Sequence, residues 1–175
     1  MIDAITQFVH QIIFGDASNF WPHIVHQAMF GGVAAAGFGI LFNCPPRMIS
    51  LCFGAGALTL AVRTLGQSYG MALPEASFVA ALVIALVDRT WWLQAQSLRA
   101  SVLAVVGCIP MVPGSMAAKG LKGIFEFMHA KPGQSIEPGM AAFEYLITVA
   151  MTLAAIGTAL ALPTFILRQK KHAAD

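Results

Sequence analysis

The sequence predicts an all-α integral membrane protein: a bundle of four to five transmembrane helices, one of them broken by prolines, preceded by an N-terminal amphipathic helix. Of its 175 residues, 58% are hydrophobic and only 10% are charged, and the mean hydropathy is +0.74. Soluble domains carry about 25% charged residues, so this chain has too few charges to cover a surface that faces water. The expected partner is therefore the lipid bilayer. The net charge of +2 is small and its charges are scattered, which argues against nucleic acid as a partner.

Residues 1–20 form the first predicted unit, an amphipathic helix that lies in the membrane interface. Apolar residues recur there at helical spacing, with Ile5, Phe8 and Ile12 on one side, as in helices that bury one face at the headgroup level. This start has no basic region followed by a cleavage site, so a cleaved signal peptide is not expected. The transmembrane domain is predicted over 21–168, and a basic cytoplasmic tail over 169–175.

The first predicted span covers residues 21–42. Gly31, Ala35 and Gly39 recur every four residues, a stripe of small residues that allows another helix to approach closely. Near its start, His23 and His26 share a face. We interpret them as an interfacial pair, with a proton relay or metal ligation as the weaker alternative, because no cysteine or carboxylate accompanies them.

Two prolines after Asn43 end this helix, and Arg47 marks the membrane surface. The second span follows at 48–65, and Arg63 near its end is expected to extend outward to the headgroups. The third span covers 76–93. Within this span, Asp88 and Arg89 are predicted to form a surface ion pair, with a proton relay as the alternative.

The fourth segment, 97–115, contains Pro110 and Pro113 and therefore cannot be a continuous helix. It either spans the membrane or re-enters it, and the side of the N-terminus depends on which. An amphipathic stretch over 117–130 follows, and the final helix is predicted over 139–167. Gly157 and Ala161 provide that helix with a packing face.

The distribution of lysine and arginine predicts the orientation. With five spans, six basic residues fall on the cytoplasmic side and four outside. The first set is Arg47, Arg89, Arg99, Arg168, Lys170 and Lys171; the second is Arg63, Lys119, Lys122 and Lys131.

The proline break is the candidate functional site. In hydrocarbon a carbonyl without a partner costs several kcal/mol, so such a break persists only where protein or a watery cavity supplies donors. Broken helices at membrane depth bind substrates in many transporters. Freed carbonyls could accept an ammonium, and the start of the next helix would attract a carboxylate. The predicted substrate path comprises Pro110, Pro113, Gly114, Ser115 and Lys119. A kink that only shapes packing is the alternative, and Lys119 could equally be a solvated lysine.

Asn43 and Arg47 are a possible gate at the inner mouth, although a helix cap and a headgroup anchor explain them nearly as well. No catalytic residue, metal site or cofactor is expected, because no nucleophile, zinc or paired-carboxylate motif is present. The three cysteines, Cys44, Cys52 and Cys108, lie far apart without CxxC spacing and are expected to be free thiols.

Two motifs resemble those of the threonine/serine exporter family. Residues 109–115, Ile-Pro-Met-Val-Pro-Gly-Ser, followed by Lys119, are similar to that family's "IPLVPGS" signature. Residues 38–43 with Pro45 and Arg47 resemble its second motif, a helix that ends in F-N-x-P-x-R. The resemblance covers roughly residues 25 to 125, and it points to the small membrane subunit of the split, two-component form.

The resemblance implies a multi-pass protein of the bacterial inner membrane. It implies export of small hydrophilic metabolites, either serine and threonine or C4-dicarboxylates such as succinate, driven by the proton gradient. It also implies a larger membrane subunit as partner. Since one such chain has too little polar surface to line a complete aqueous route, a homo- or hetero-oligomer is expected. The alternative is a scaffold that stabilises a larger transporter subunit without transporting.

Overall fold

The computed structural model describes residues 17–92, 100–129 and 137–172, and in these ranges the chain is helical and contains no strand. The helices are α1 (Ala17–Leu41), α2 (Pro46–Ser68), α3 (Leu73–Trp92), α4 (Ala100–Cys108), a short 3-10 helix (Ile109–Met111), α5 (Gly114–Met128) and α6 (Glu137–His172). The predicted all-α class is confirmed.

Helices α1 and α2 form a tight antiparallel pair because small residues face each other. Gly31, Ala35 and Gly39 are buried, as the four-residue spacing predicts. A Cβ atom at Gly56 would overlap Ala35 and the Gly31 carbonyl oxygen, so the two backbones are in direct contact. The turn between the helices includes Asn43, whose φ of 55° is in the left-handed region. This connection is called the Pro45 end of the bundle.

Helix α3 returns from the opposite end, where a turn containing Gly70 joins it to α2. That end is called the Gly70 end. Alanines make up most of the buried face of α3, with Ile84 as its largest buried side chain; the alanines are Ala76, Ala80, Ala81 and Ala85. Helix α3 packs against α2, α4 and α6. Small side chains on α3 allow these helices to approach closely.

Helix α4 contacts α1, α2 and α3 and therefore occupies the centre of the bundle. Gly107 of α4 lies against Ala55 of α2, since a Cβ there would be 3.0 Å from the Ala55 Cβ. Helices α5 and α6 form a second hairpin, in which Gly120 lies against Leu146 and Gly139 lies against Phe127. Helix α6 therefore runs antiparallel to α5.

Within the described ranges, three helical stretches are long and apolar enough to cross a membrane: Trp21–Leu41, Pro46–Ser68 and Gly139–Pro163. A fourth candidate is the bent pair Val102–Met111 and Gly114–Met128, whose axes differ by 50°. This geometry suits either a broken span or a re-entrant loop, the two alternatives that the sequence leaves open. Helix α3 carries Glu75 near its start and Asp88 near its end, so its apolar part is shorter.

Large apolar side chains cover the outside of the bundle. Phe30, Val33 and Ile40 on α1 are each more than 60% exposed, as are Met140 and Phe143 on α6. Soluble monomers rarely expose large contiguous apolar surfaces. This exterior suits lipid, and the chain is a multi-pass membrane protein.

Two predicted helix ends shift. Helix α1 begins at Ala17, before the predicted start of the first span at residue 21, and α6 ends at His172, beyond the predicted end at residue 167. The predicted interfacial helix falls largely outside the described residues, which begin at 17. Two local predictions are wrong. Asp88 is 7% exposed and so does not lie at the surface. Gly157 is exposed, and a Cβ there would have no atom of another helix within 4 Å.

Candidate functional site

The chain between α4 and α5 leaves the α-helical path at the two prolines. Pro110 lacks the N–H that would bond the Val106 carbonyl, and Pro113 lacks the one that would bond the Ile109 carbonyl. The Ile109 carbonyl instead accepts the Val112 N–H at 3.1 Å, which closes the 3-10 turn. Val112 is then extended, with φ −62° and ψ 122°. The helix restart predicted near Ser115 occurs at Gly114.

Helix α2 supplies hydrogen-bond donors to carbonyls at this break. The Thr59 hydroxyl lies 2.6 Å from the Gly107 carbonyl oxygen of α4 and 3.0 Å from the Gly56 carbonyl oxygen of its own helix. One turn further along α2, Arg63 Nη1 donates to the Met111 carbonyl oxygen at 2.7 Å. The backbone at the break is therefore paired by side chains of a neighbouring helix, as non-helical backbone at membrane depth requires.

The expected outward extension of Arg63 is wrong. Its side chain is half-buried and turns toward the centre of the bundle. A guanidinium is an expensive group to place within a span unless it finds hydrogen-bond partners or water. The Met111 carbonyl is such a partner, because the 3-10 turn ends at Met111 and the carbonyl is no longer used by the helix.

A cavity of about 430 Å³ opens beside the break, toward the Gly70 end. It is bounded by α1, α2, the start of α3, the 3-10 turn and the start of α5. Its lining residues are His23, Gln27, Leu60, Arg63, Thr64, Gln67, Leu73, Pro110, Val112, Pro113, Gly114, Ser115 and Met116. A volume of this size is within the range of small-molecule sites.

The cavity lining is polar and positively charged. Arg63 contributes a guanidinium, and none of the described lining residues is acidic. Amide, hydroxyl and imidazole groups come from Gln27, Gln67, Ser115 and His23. Helix α5 begins at the cavity wall, and the N-terminus of a helix carries partial positive charge. These features favour an anionic group in the cavity.

The structure brings four of the predicted path residues to this cavity: Pro110, Pro113, Gly114 and Ser115. Lys119 is exposed on α5, one turn further, and is not among the lining residues. The Gly107 and Met111 carbonyls already accept hydrogen bonds from Thr59 and Arg63. Side chains of the protein itself thus already bond two of the carbonyls at the break, where a substrate ammonium was also expected to find acceptors.

The two possible gate residues, Asn43 and Arg47, lie at the Pro45 end and are exposed. Sixteen residues separate Arg47 from Arg63, about 24 Å along an α-helix axis. Neither residue lines the cavity. Asn43 and Arg47 therefore lie at the end of the bundle opposite the cavity. Only a passage through the whole molecule would connect these two residues to the cavity.

Four neighbours of the break were not predicted from the sequence: Thr59, Arg63, Gln27 and Gln67. One signal was available: Thr59 and Arg63 are polar residues four apart inside an apolar segment, hence on one face of α2. The two histidines differ in surroundings: His23 lines the cavity, whereas the His26 ring packs against the Phe30 ring with centroids 4.5 Å apart and planes tilted by 44°. Among the described residues, no group of three or more histidine, cysteine or acidic side chains could hold a metal ion.

Comparison with known proteins identifies a family and several related proteins. The family model described as Threonine/Serine exporter, ThrE, matches residues 27–166, a longer stretch than the sequence motifs cover. An uncharacterized protein of Haemophilus influenzae is 27% identical over 152 residues, which are 87% of this chain and 50% of that protein. The chain therefore spans about half the length of this curated relative. No solved structure matches the chain.

Proposed function

Because the chain belongs to the threonine/serine exporter family, we propose that it is a membrane subunit of a secondary transporter that exports small hydrophilic metabolites. The solutes are amino acids of the threonine and serine type or C4-dicarboxylates such as succinate. Export is coupled to the proton gradient, and the protein acts in the bacterial inner membrane.

The observation that carries the proposal is the polar cavity at the proline break. A cavity of about 430 Å³ that contains a guanidinium, two carboxamides and a helix start has the size and chemistry for a small carboxylate-bearing solute. A helix break that served packing alone would have no need of such a polar cavity. The proposed substrate path comprises Pro110, Pro113, Gly114 and Ser115, with Lys119 adding positive charge beyond them.

A larger membrane subunit is proposed as partner, in a hetero-oligomer or together with further copies of this chain. The Haemophilus influenzae relative is about twice as long as the matched region, which is consistent with a second part supplied by another chain here. The cavity lies near the Gly70 end, and Asn43 and Arg47 lie at the Pro45 end. If a partner completes a passage between the two ends, Asn43 and Arg47 form the inner gate of that passage.

The double substitution Pro110→Ala with Pro113→Ala tests the proposal. It restores two backbone N–H donors, so the Val106 and Ile109 carbonyls regain α-helical partners and the break straightens. We expect efflux of labelled serine and succinate to fall to background while the protein still inserts in the membrane. Pro22→Ala is the control, because Pro22 also lies within a helix but is exposed and does not line the cavity.

Normal export by the double variant would show that the proline break is not required for transport. The assay is run in cells that co-express the larger neighbouring reading frame, with and without this chain. Activity that depends on both chains supports a transporter subunit. Equal activity from the partner alone would show that this chain is a scaffold.

A further inference from the structure

Arg63 occupies two environments at once. Its Nη1 donates to the Met111 carbonyl oxygen at 2.7 Å, and the same side chain lines the cavity beside the break. A guanidinium has five N–H donors in a planar fork. One bond to Met111 therefore orients the group and leaves donors on the same fork for a ligand.

The charge of Arg63 is not balanced within the cavity. None of the described lining residues is acidic, and Glu126 pairs with Lys122 on the exposed side of α5. The Met111 carbonyl satisfies a hydrogen bond but contributes no negative charge. Ionisable residues within spans face the bundle interior or a water-filled cavity, pair with one another or with backbone carbonyls, and mark the pathways of solutes. Arg63 has a carbonyl partner and also faces the cavity.

The start of α5 adds to the positive electrostatic potential that Arg63 creates in the cavity. Gly114, Ser115 and Met116 are the first residues of this helix and all line the cavity, so the positive end of the helix lies at the cavity wall. A guanidinium and a helix N-terminus that share one small cavity suit a carboxylate, which Arg can bind through two parallel hydrogen bonds.

We propose that Arg63 determines the specificity of this site by binding the carboxylate of the exported solute, while the Met111 carbonyl holds the guanidinium in position. The inference rests on the proposed function and deepens it by naming the group that is recognised. The cavity then selects for carboxylates, and an ammonium without a carboxylate is excluded.

Ligand binding to the full chain, purified in nanodiscs from cells that co-express the larger partner, tests the inference. Three probes separate the two charges of an amino acid: L-serine, glycolate, which has the carboxylate alone, and ethanolamine, which has the ammonium alone. We expect the wild type to bind serine and glycolate and not ethanolamine. Wild-type protein that binds no carboxylate, or that prefers ethanolamine, overturns the inference.

Two substitutions of Arg63 test the guanidinium itself. In Arg63→Gln the charge is lost, and in Arg63→Lys the charge remains without the planar fork. We expect glycolate and serine to bind about 30-fold more weakly to Arg63→Gln, as for loss of one partner of a desolvated charge pair, and binding to Arg63→Lys to be intermediate. Lys122→Gln, an exposed basic residue away from the cavity, is the matched control and should bind as the wild type does. Unchanged affinity in both Arg63 variants contradicts the inference.

A third substitution leaves Arg63 and its bond to Met111 in place, so it remains informative if Arg63 variants do not fold. Ser115→Asp puts a carboxylate at the start of α5, where acidic residues are favourable for a helix, and next to the cavity. It should occupy the guanidinium and abolish glycolate binding, and undiminished binding would contradict the inference. Efflux is measured in parallel. Arg63-dependent binding without efflux refutes the proposed function alone, and efflux that is unaffected in Arg63→Gln refutes the inference alone.

Discussion

Thr59 shows at the scale of one residue how a broken helix is stabilised in a membrane. Its Oγ1 atom lies within hydrogen-bond distance of the Gly56 and Gly107 carbonyl oxygens, and the side chain is fully buried. Because the hydroxyl has a single proton, the two carbonyl oxygens must share it. The bond to Gly56 is the local one that a threonine makes in many helices, whereas the bond to Gly107 joins α2 to α4.

Replacement of Thr59 by valine is expected to destabilise the fold by about 1–3 kcal/mol, the cost of leaving a buried carbonyl without its donor. Thermal unfolding in detergent, followed by the loss of monodisperse protein, measures the effect. Thr148→Val is the matched control, because the Thr148 hydroxyl bonds only the Glu144 carbonyl of its own helix. Thr59→Ser keeps the donor and should recover most of the stability. Equal effects at Thr59 and Thr148 would show that the interhelical bond contributes nothing.

At the scale of the element, the separation between α1 and α2 depends on glycine. A Cβ at Gly31 would be 2.8 Å from the Gly56 carbonyl oxygen, so neither helix can carry a larger residue there without moving. This contact holds His23 and Gln27 of α1 beside Arg63 and Gln67 of α2 at the Gly70 end. Helices α1 and α2 thus form part of the cavity wall. Their close contact, at Gly31 and Gly56, lies deeper in the bundle.

The substitution Gly56→Ala is expected to destabilise the protein by about 1–3 kcal/mol, because the added methyl overlaps backbone atoms of α1 that cannot rotate away. Gly54→Ala is the control on the same helix, since nothing lies within 4 Å of a Cβ at Gly54. It should be neutral or slightly stabilising, as alanine is the better helix former. Unfolding in a detergent titration measures both variants. A Gly56→Ala protein as stable as Gly54→Ala would be inconsistent with backbone contact between α1 and α2.

At the scale of the whole molecule, the two ends of the bundle differ in charge. Helix α4 runs parallel to α2, since Gly107 pairs with Thr59 and Met111 with Arg63. Helix α5 departs from the direction of α4 by 50°, and α6 runs antiparallel to α5. Arg47 at the start of α2 and Arg89 near the end of α3 lie at the Pro45 end, because α3 returns antiparallel to α2. The positive-inside rule predicts that this end is cytoplasmic.

Labelling of single cysteines from one side of the membrane tests this orientation. In a Cys44→Ala background, Tyr69→Cys lies in the exposed turn of the Gly70 end, and Arg47→Cys lies at the Pro45 end; Cys52 and Cys108 are buried. A membrane-impermeant maleimide added to intact spheroplasts should label Tyr69→Cys and should label Arg47→Cys only after permeabilisation. The reverse result would invert the orientation, and labelling of both from outside would show that α2 does not span.

Much of the fold could be predicted because its determinants are local. Hydropathy over a helix length places a segment in lipid, and the positions of Pro110 and Pro113 place the break and its restart near Ser115. The stripe Gly31, Ala35, Gly39 correctly marks a packing face. The similar pair Gly157 and Ala161 does not, since Gly157 lies on the exposed side of α6. Small residues permit close packing, but whether a partner helix is present depends on the arrangement of the whole bundle.

The sequence by itself determined the class of protein, the course of the helices and the position of the break, because proline stereochemistry and the solvation of apolar side chains act within one segment. Only the tertiary structure decided which groups meet there. Arg63 and Met111, like Thr59 and Gly107, are 48 residues apart, and they pair because α4 inserts parallel to α2 at one register. A shift of that register by a single residue would turn the Met111 carbonyl about 120° around the axis of its 3-10 helix, away from the guanidinium.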